Sequence, residues 1–557
     1  MRSPALSAIT RARMDGSDAP SSTGGFSPNR GPMCGSDTQS LAPRGSDAPL
    51  PGLPRKPSRG SIVLRVVGYA ALIFLPFLGS GRTLTQHEVI VAQPALNMLE
   101  DGNWIVPRYH SDEPWVDKPP LVSWADAVLF SLMGFSEWAA RLPAALSAIG
   151  LCVLIALVAW RFADPQTALL AGLVQASCVY AFNHGRLGEI DMPFALLIAA
   201  AHAVLLLRWG DGRTDLPLPS AALFHTLAGL AVLAKGPLAP AFIGCTVLGF
   251  CAARRSWRPL RSVLLTPAVL CFIVAAGWWY LAAYAQIGDL ALERWSYTYV
   301  NRIAGEHVQG RQSALVYVLN IPWLLAPASI ILLIGAPIVA KRVALPQNHF
   351  ERYLWCWFFF GMAPLLVSAF KAKHYAIPLL PPLSILAAMV IRAHLSAWGV
   401  HARRLYAALF VGVPIATLIV SGFVMPRRDH RRETVEFISD ATSRVPAGET
   451  LYTLGLAQSS VFPYIRCHWR GINRPGEFAE VLDRADGRPV WVLTPRAFLL
   501  AKAAAELQFE EIGTERARKR YPATEVHVLG RIVGGRLILN DETERELNDL
   551  AGLSRGR

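Results

Sequence analysis

From Ile62 onward the chain alternates between apolar runs of about 20 residues and short polar breaks, the pattern of helices that cross a bilayer. Length and apolarity predict about eleven spans, near 61–79, 139–160, 166–183, 192–208, 219–234, 237–253, 262–284, 316–340, 353–370, 375–392 and 404–424. The run 119–134 is apolar but short and polar-flanked, which suits an interfacial or re-entrant piece. Beyond Pro426 the period changes. "TVEFISDATSRV" (Thr434 to Val445) has helical spacing, "ETLYTLG" and "PVWVLTPR" read as buried strands, and "AFLLAKAAAELQF" reads as a helix between strands. The first 58 residues are rich in Ser, Pro and Gly and repeat "GSDAP" at Gly16 and Gly45. They carry too little apolar surface to fold and lack the apolar core of a signal peptide, which predicts a disordered tail.

The expected organisation is therefore a disordered tail (1–58), a transmembrane domain (59–425) and an accessory α/β domain (426–557). Composition agrees with the membrane class: 53% of residues are hydrophobic and 17% charged, where soluble chains carry about 25% charged residues. The formal charge of +14 has no basic stripe with interleaved aromatics, so nucleic acid is not an expected partner. Basic loops facing anionic membrane lipids account for it.

Charge also orients the chain. With a cytoplasmic N-terminus the inside loops carry Arg161, then Arg208 and Arg213, "RRSWRPLR" (Arg254 to Arg261), Lys341-Arg342 and "HARR" (His401 to Arg404). An odd number of spans places the C-terminal region outside. The same face receives "LTQHEVIVAQPALNMLEDGNWIVPRYHSDEPWVDKPP" (Leu84 to Pro120), "NHGRLGEIDMP" (Asn183 to Pro193), "AKGPLAP" (Ala234 to Pro240), "YTYVNRIAGEHVQGRQ" (Tyr297 to Gln312) and "FKAKHYAIPLLPP" (Phe370 to Pro382).

Charges at a membrane boundary are expensive, and five such segments on one face point to a functional site. They offer His87, Glu88 and Asp191 for proton transfer, and Lys118, Lys235, Arg302, Lys371 and Lys373 as cations. A carboxylate or imidazole deprotonates a hydroxyl acceptor. Clustered Lys and Arg hold a phosphate and stabilise it as a leaving group. Beside apolar walls, the matching substrate is a lipid phosphate. There is no P-loop or dinucleotide fingerprint for a soluble nucleotide donor. Six of the eight cysteines fall in spans and only Cys467 is expected outside, so no disulfide framework is predicted. No His/Cys spacing of the zinc type occurs and no metal site is assigned, although Glu88 and Asp191 admit a divalent cation. Trp278, Trp279 and Trp323 read as interfacial anchors.

The motifs "HE…NMLEDGNWIVP…DKPPL", "AARLPAAL" (Ala139 to Leu146), "GRLGEIDMP", "AKGP" and "KAKHYAIPLLPPL" follow one another between about residue 80 and residue 392. In that order the chain resembles the GT-C membrane glycosyltransferases, in the branch of aminoarabinose (lipid A) transferases and protein O-mannosyltransferases. The resemblance implies a mainly α, polytopic GT-C fold with a small C-terminal α/β domain. It implies transfer of a sugar from a polyprenyl-phosphate donor to a hydroxyl-bearing lipid or protein acceptor, on the outer face of the cell's inner membrane. It places Lys118 and Lys235 at the family's lysine positions and Asp191 at its second acid. The family's first-loop pair begins Asp-Glu, whereas here it is His87-Glu88, so Glu88 is the expected base with His87 as partner. A catalytically degenerate member, or a lipid or solute transporter of similar topology, remains the alternative.

Overall fold

The apolar runs become helices, but fewer than expected are long enough to cross a bilayer. In the computed structural model the described residues are 57–109, 114–301, 313–346, 348–369, 371–429, 431–454, 459–472, 474–499, 507–514, 527–534, 537 and 545. The expected tail at 1–58 lies almost entirely outside them. Six helices have the length and apolarity of a span: Glu137–Phe162, Asp191–Trp209, Leu218–Lys235, Val269–Ile287, Lys373–Ala397 and Val400–Arg427. A seventh arises if Leu315–Trp323 and Ala328–Ile334, bent by 91°, count as one. Helices of 13 to 17 residues, among them Arg59–Phe74, Pro165–Ser177, Leu238–Arg254 and His349–Gly361, occupy other expected spans, so the expectation of about eleven stands beside six long helices among the described residues. Hydropathy counts apolar residues and does not register breaks. The run 166–183 is interrupted where Cys178 adopts an extended backbone, and the run beginning near Ile62 yields a helix of 16 residues. At 1.5 Å per residue that helix reaches about 24 Å, short of a hydrocarbon core of about 30 Å.

The elements that build the site come from the first half of the described chain. They are α1 (Arg59–Phe74), α2 (Gln86–Asp101), α3 (Leu121–Met133), α4 (Glu137–Phe162), α5 (Pro165–Ser177), α6 (Val179–His184), α7 (Asp191–Trp209), α8 (Leu218–Lys235) and α9 (Leu238–Arg254). Local chemistry sets their ends. Thr85 and Glu88 form a reciprocal capping box that starts α2, and Gly102 in the left-handed region ends it. Ser136 caps α4 and Asp164 caps α5 through side-chain oxygens. At the end of α1 the orphan carbonyls of Ile73, Phe74 and Pro76 accept hydrogen bonds from the Arg186 guanidinium.

Burial sorts the long helices into inner and outer ones. In α7 two thirds of the apolar window is buried, whereas in Val269–Ile287 and Val400–Arg427 only 17% is. Leu270, Ile273, Val274 and Leu281 on the former, and Val411, Ile415 and Ile419 on the latter, are exposed and form the face that lipid would cover. The segment 119–134 contains α3, whose 13 residues are too few to cross.

Beyond Pro426 the helix Arg432–Thr442 precedes a five-stranded sheet of order β2-β1-β3-β5-β4. Its strands are β1 (Leu451–Leu454), β2 (Trp469–Ile472), β3 (Val490–Pro495), β4 (Gln508–Thr514) and β5 (His527–Gly534). β1 runs parallel to β2 and β3, with Tyr452 opposite Arg470 and Val492, while β5 is antiparallel to β3 and β4. β3 is buried at every position, as its largely apolar sequence leads one to expect. The helix expected from Ala497 to Phe509 begins at Arg496–Leu499, 500–506 lie outside the described residues, and Gln508 and Phe509 belong to β4 instead.

Candidate active site

Glu88 is not an accessible carboxylate at the mouth of the first span. It is the third residue of α2 and has no exposed surface. Its Oε1 accepts from Arg141 Nε at 2.6 Å and from the Gly188 N–H at 3.0 Å, while Oε2 accepts from the Thr85 N–H at 2.8 Å and Arg141 Nη2 at 3.2 Å. Burial pushes the carboxyl upward, but the Arg141 charge and these hydrogen bonds hold it below its ordinary value. Gly188 can come this close because it has no side chain: a Cβ there would lie 2.5 Å from the Ala140 carbonyl oxygen. Arg141 also donates to the carbonyls of Leu78, Arg82 and Thr83. The pair therefore ties the start of α2, α4 and the loop before α7 together. A carboxylate with four donors and no access to solvent suits this strut and not the proton acceptor expected from sequence.

His87, one residue earlier, is exposed, and its ring centroid lies 6.4 Å from that of His374. His374 in turn lies 5.4 Å from His184, whose Nδ1 meets Glu189 Oε2 at 2.8 Å. Asp191 opens α7, is buried, and accepts from the Lys235 ammonium at the end of α8. Lys235 also sits over the Tyr375 ring at 4.3 Å. Gly236, with φ of 81°, ends α8 directly against the Tyr299 ring, where a Cβ would come within 2.7 Å.

Two cavities flank this row of polar groups. One, of about 410 Å³, has walls of Pro237, Leu238, Ala241, Ala363, Pro364, Leu365 and Val367, with Lys118, Lys235, Tyr299 and Tyr375 among its polar lining. The other, of about 290 Å³, is lined by Arg82, Arg141, Asn183, His184 and Arg186 beside Phe77 and Phe182. Lys235 borders the first cavity and His184 the second, with Asp191 and Glu189 between.

Of the expected cations, Lys118 and Lys235 share the first cavity. Lys371 does not present its ammonium to a ligand. It is buried and donates to the carbonyls of Leu365, Leu366 and Ser368, closing the end of the helix Ala363–Val367. Lys373 is exposed at the start of its helix, and Arg302 lies outside the described residues. Trp279, read as an interfacial anchor, is fully buried and donates its indole N–H to the Ile105 carbonyl at 2.8 Å. Trp278 stacks on Trp124 and, like Trp323, is exposed. Sequence reasoning passed over His184, Glu189 and His374, although all three stand within segments that it placed on the active face.

Residues 117–280 match the family model described as dolichyl-phosphate-mannose-protein mannosyltransferase. With the helical architecture and the C-terminal sheet, this match supports a multi-pass membrane protein similar to the GT-C glycosyltransferases. The chain is similar to undecaprenyl phosphate-alpha-4-amino-4-deoxy-L-arabinose arabinosyl transferases. It is 28% identical to that of Shewanella sediminis over 352 residues, 60% of each chain, and 27% identical to that of an Enterobacter species over 346 residues, 60% of this chain and 59% of the other. The chain thus spans about three fifths of the length of the curated relatives it matches. Its fold is similar to that of ArnT from Cupriavidus metallidurans bound to undecaprenyl phosphate, with a TM-score of 0.67 at 17% identity, covering 85% of this chain and 98% of the other. The archaeal oligosaccharyltransferase AglB from Archaeoglobus fulgidus, in complex with an inhibitory peptide and a dolichol-phosphate, is more distant, at TM-score 0.51 and 10% identity.

Proposed function

We propose that the protein transfers a sugar from a polyprenyl-phosphate donor to a hydroxyl-bearing lipid or protein acceptor on the outer face of the cytoplasmic membrane. One observation carries this reading: an apolar cavity that ends at Lys118 and Lys235 is joined, through Asp191, to a second, polar cavity at His184. The apolar walls suit the prenyl chain, and the two ammonium groups suit its phosphate. The basic lining of the second cavity suits a polar acceptor. The similarity to transferases that use undecaprenyl phosphate-alpha-4-amino-4-deoxy-L-arabinose supports the donor class.

The chemistry balances as a single displacement. The acceptor oxygen forms a bond to the anomeric carbon while the bond from that carbon to the donor phosphate oxygen breaks. Both electrons of the broken bond leave with the phosphate, whose charge the lysines stabilise. The hydroxyl proton passes to His87, whose exposed imidazole stands where the family pattern has its first acid. Asp191 holds the Lys235 ammonium toward the donor cavity.

The test is incubation of the purified chain with radiolabelled polyprenyl-phosphate sugars and a panel of lipid and peptide acceptors. Label should move to an acceptor in the wild type, and not in Lys235→Met. Saturable transport of a lipid or solute without transfer would support the transporter reading in its place.

A further inference from the structure

We propose that His184, Glu189 and Asp191 form a binding site for one divalent transition-metal cation of the zinc class. One ligand atom from each residue lies within 4.8 Å of the others. Ligands of one zinc ion, at about 2.0–2.2 Å from it, stand roughly 3–4 Å apart, so the three side chains need only a small contraction. The donor set, one imidazole nitrogen and two carboxylate oxygens, is the kind that holds zinc, manganese or cobalt with open positions for substrate.

Charge points the same way. Glu189 and Asp191 are both more than nine-tenths buried. Lys235 pairs with Asp191, whereas among the described residues the Glu189 carboxylate meets the His184 ring. Arg186, three residues before Glu189, is engaged with the carbonyls at the end of α1. A buried carboxylate is costly to leave uncompensated, and a cation compensates it. His374, whose ring lies 5.4 Å from His184, is close enough to add a further nitrogen after a side-chain movement.

The site lies between the two cavities, where the ion would polarise a donor phosphate oxygen or the acceptor hydroxyl. That role rests on the transferase reading; binding of the ion does not. This placement differs from the sequence expectation of a cation between Glu88 and Asp191, because Glu88 is already held by Arg141.

The experiment uses the full chain in detergent, stripped with a chelator and titrated with Co²⁺ as a spectroscopic probe. We expect one equivalent to bind with visible d–d bands, and Zn²⁺ to displace it. Glu189→Gln and His184→Ala should weaken binding at least tenfold, while His401→Ala, an exposed histidine on another helix, should bind as the wild type does. Metal should also raise the melting temperature of the wild type, a readout that does not depend on the variants folding. Absence of saturable Co²⁺, Zn²⁺ and Mn²⁺ binding to the wild type overturns the proposal, as does binding unaltered in both site variants. Transfer that proceeds unchanged in a wild type that binds the ion removes the catalytic role and leaves the site.

Discussion

Glu88→Gln separates a strut from a base. The substitution preserves shape but removes the charge that faces Arg141, whose guanidinium is 2% exposed and has no solvent to turn to. One carboxylate oxygen is replaced by an NH₂ group, which then confronts N–H donors: either the Gly188 N–H and Arg141 Nε, or the Thr85 N–H and Arg141 Nη2. Removing one partner of a buried ion pair costs about 3–5 kcal/mol. With an unfolding entropy of about 2.1 cal/mol/K per residue, a chain of this size loses roughly 1 °C per kcal/mol, so the melting temperature should fall by roughly 3–5 °C. Thermal unfolding in detergent, followed by tryptophan fluorescence, reads this directly. The pH profile supplies a second readout. Because the folded carboxyl is held below its ordinary value, the stabilisation is complete above the unfolded value of about 4.3 and disappears as pH falls through the depressed folded one. The wild type should therefore lose stability in that acid window, and Glu88→Gln should lose less. A Glu88→Gln protein with wild-type melting and no transfer would falsify the strut assignment and return the proton to Glu88.

Other outcomes follow from the same geometry. Asp126 is fully buried in α3 with no hydrogen-bond partner for either oxygen among the described residues; burial, then the Glu88 charge, push its carboxyl well above the ordinary range. Above an unfolded value of about 3.9 it costs about 1.4 kcal/mol per pH unit until the folded value is reached, so Asp126→Asn should raise thermal stability at neutral pH. Lys118→Met and Lys235→Met should each weaken binding of a polyprenyl phosphate at least tenfold in a detergent assay, whereas Lys371→Met should leave affinity unchanged and lower the melting temperature. His87→Ala should abolish transfer with donor binding intact, and His87→Asp should restore it; normal turnover by His87→Ala would place the base elsewhere. Reporter fusions at Arg258 and Gly471 should give opposite signals, and matching signals would overturn the assignment of the outer face.

The class of fold was legible because a membrane helix is written in consecutive residues, and the grouping of Lys118 and Lys235 on one face, where they line a single cavity, was legible because their neighbours Pro119-Pro120 and Gly236-Pro237 are local motifs. Partnership was not. Arg141 stands 53 residues from Glu88, within a quoted motif, and reads in isolation as an ordinary charge near the start of a span. Lys371 was misread for a similar reason: a lysine that closes a helix end and one that binds phosphate look alike until the carbonyls of Leu365 and Leu366 are placed around it. His184 and Glu189 escaped because five residues separate them, across the turn that ends α6. Only the folded backbone brings the ring to the carboxylate.

The C-terminal region has a mechanical part in this site. Asp429 accepts from the Thr83 N–H at 2.8 Å and from its hydroxyl at 3.0 Å, and the Tyr464 hydroxyl accepts from the Leu84 N–H at 2.9 Å. The same Tyr464 hydroxyl donates to Glu137 Oε1, and Arg432 binds both oxygens of that carboxylate. Thr83 and Leu84 immediately precede the capping box that positions Glu88, and Glu137 opens the helix that carries Arg141. The residues just before the sheet and those between its first two strands thus grip both ends of the Glu88–Arg141 strut, from more than 300 residues away in sequence. His87 lies beside that strut, so its approach to His374 depends on contacts made by a region that contributes no lining residue to either of the two flanking cavities among the described residues. The accessory region is therefore better understood as a clamp on the first loop than as a source of catalytic groups.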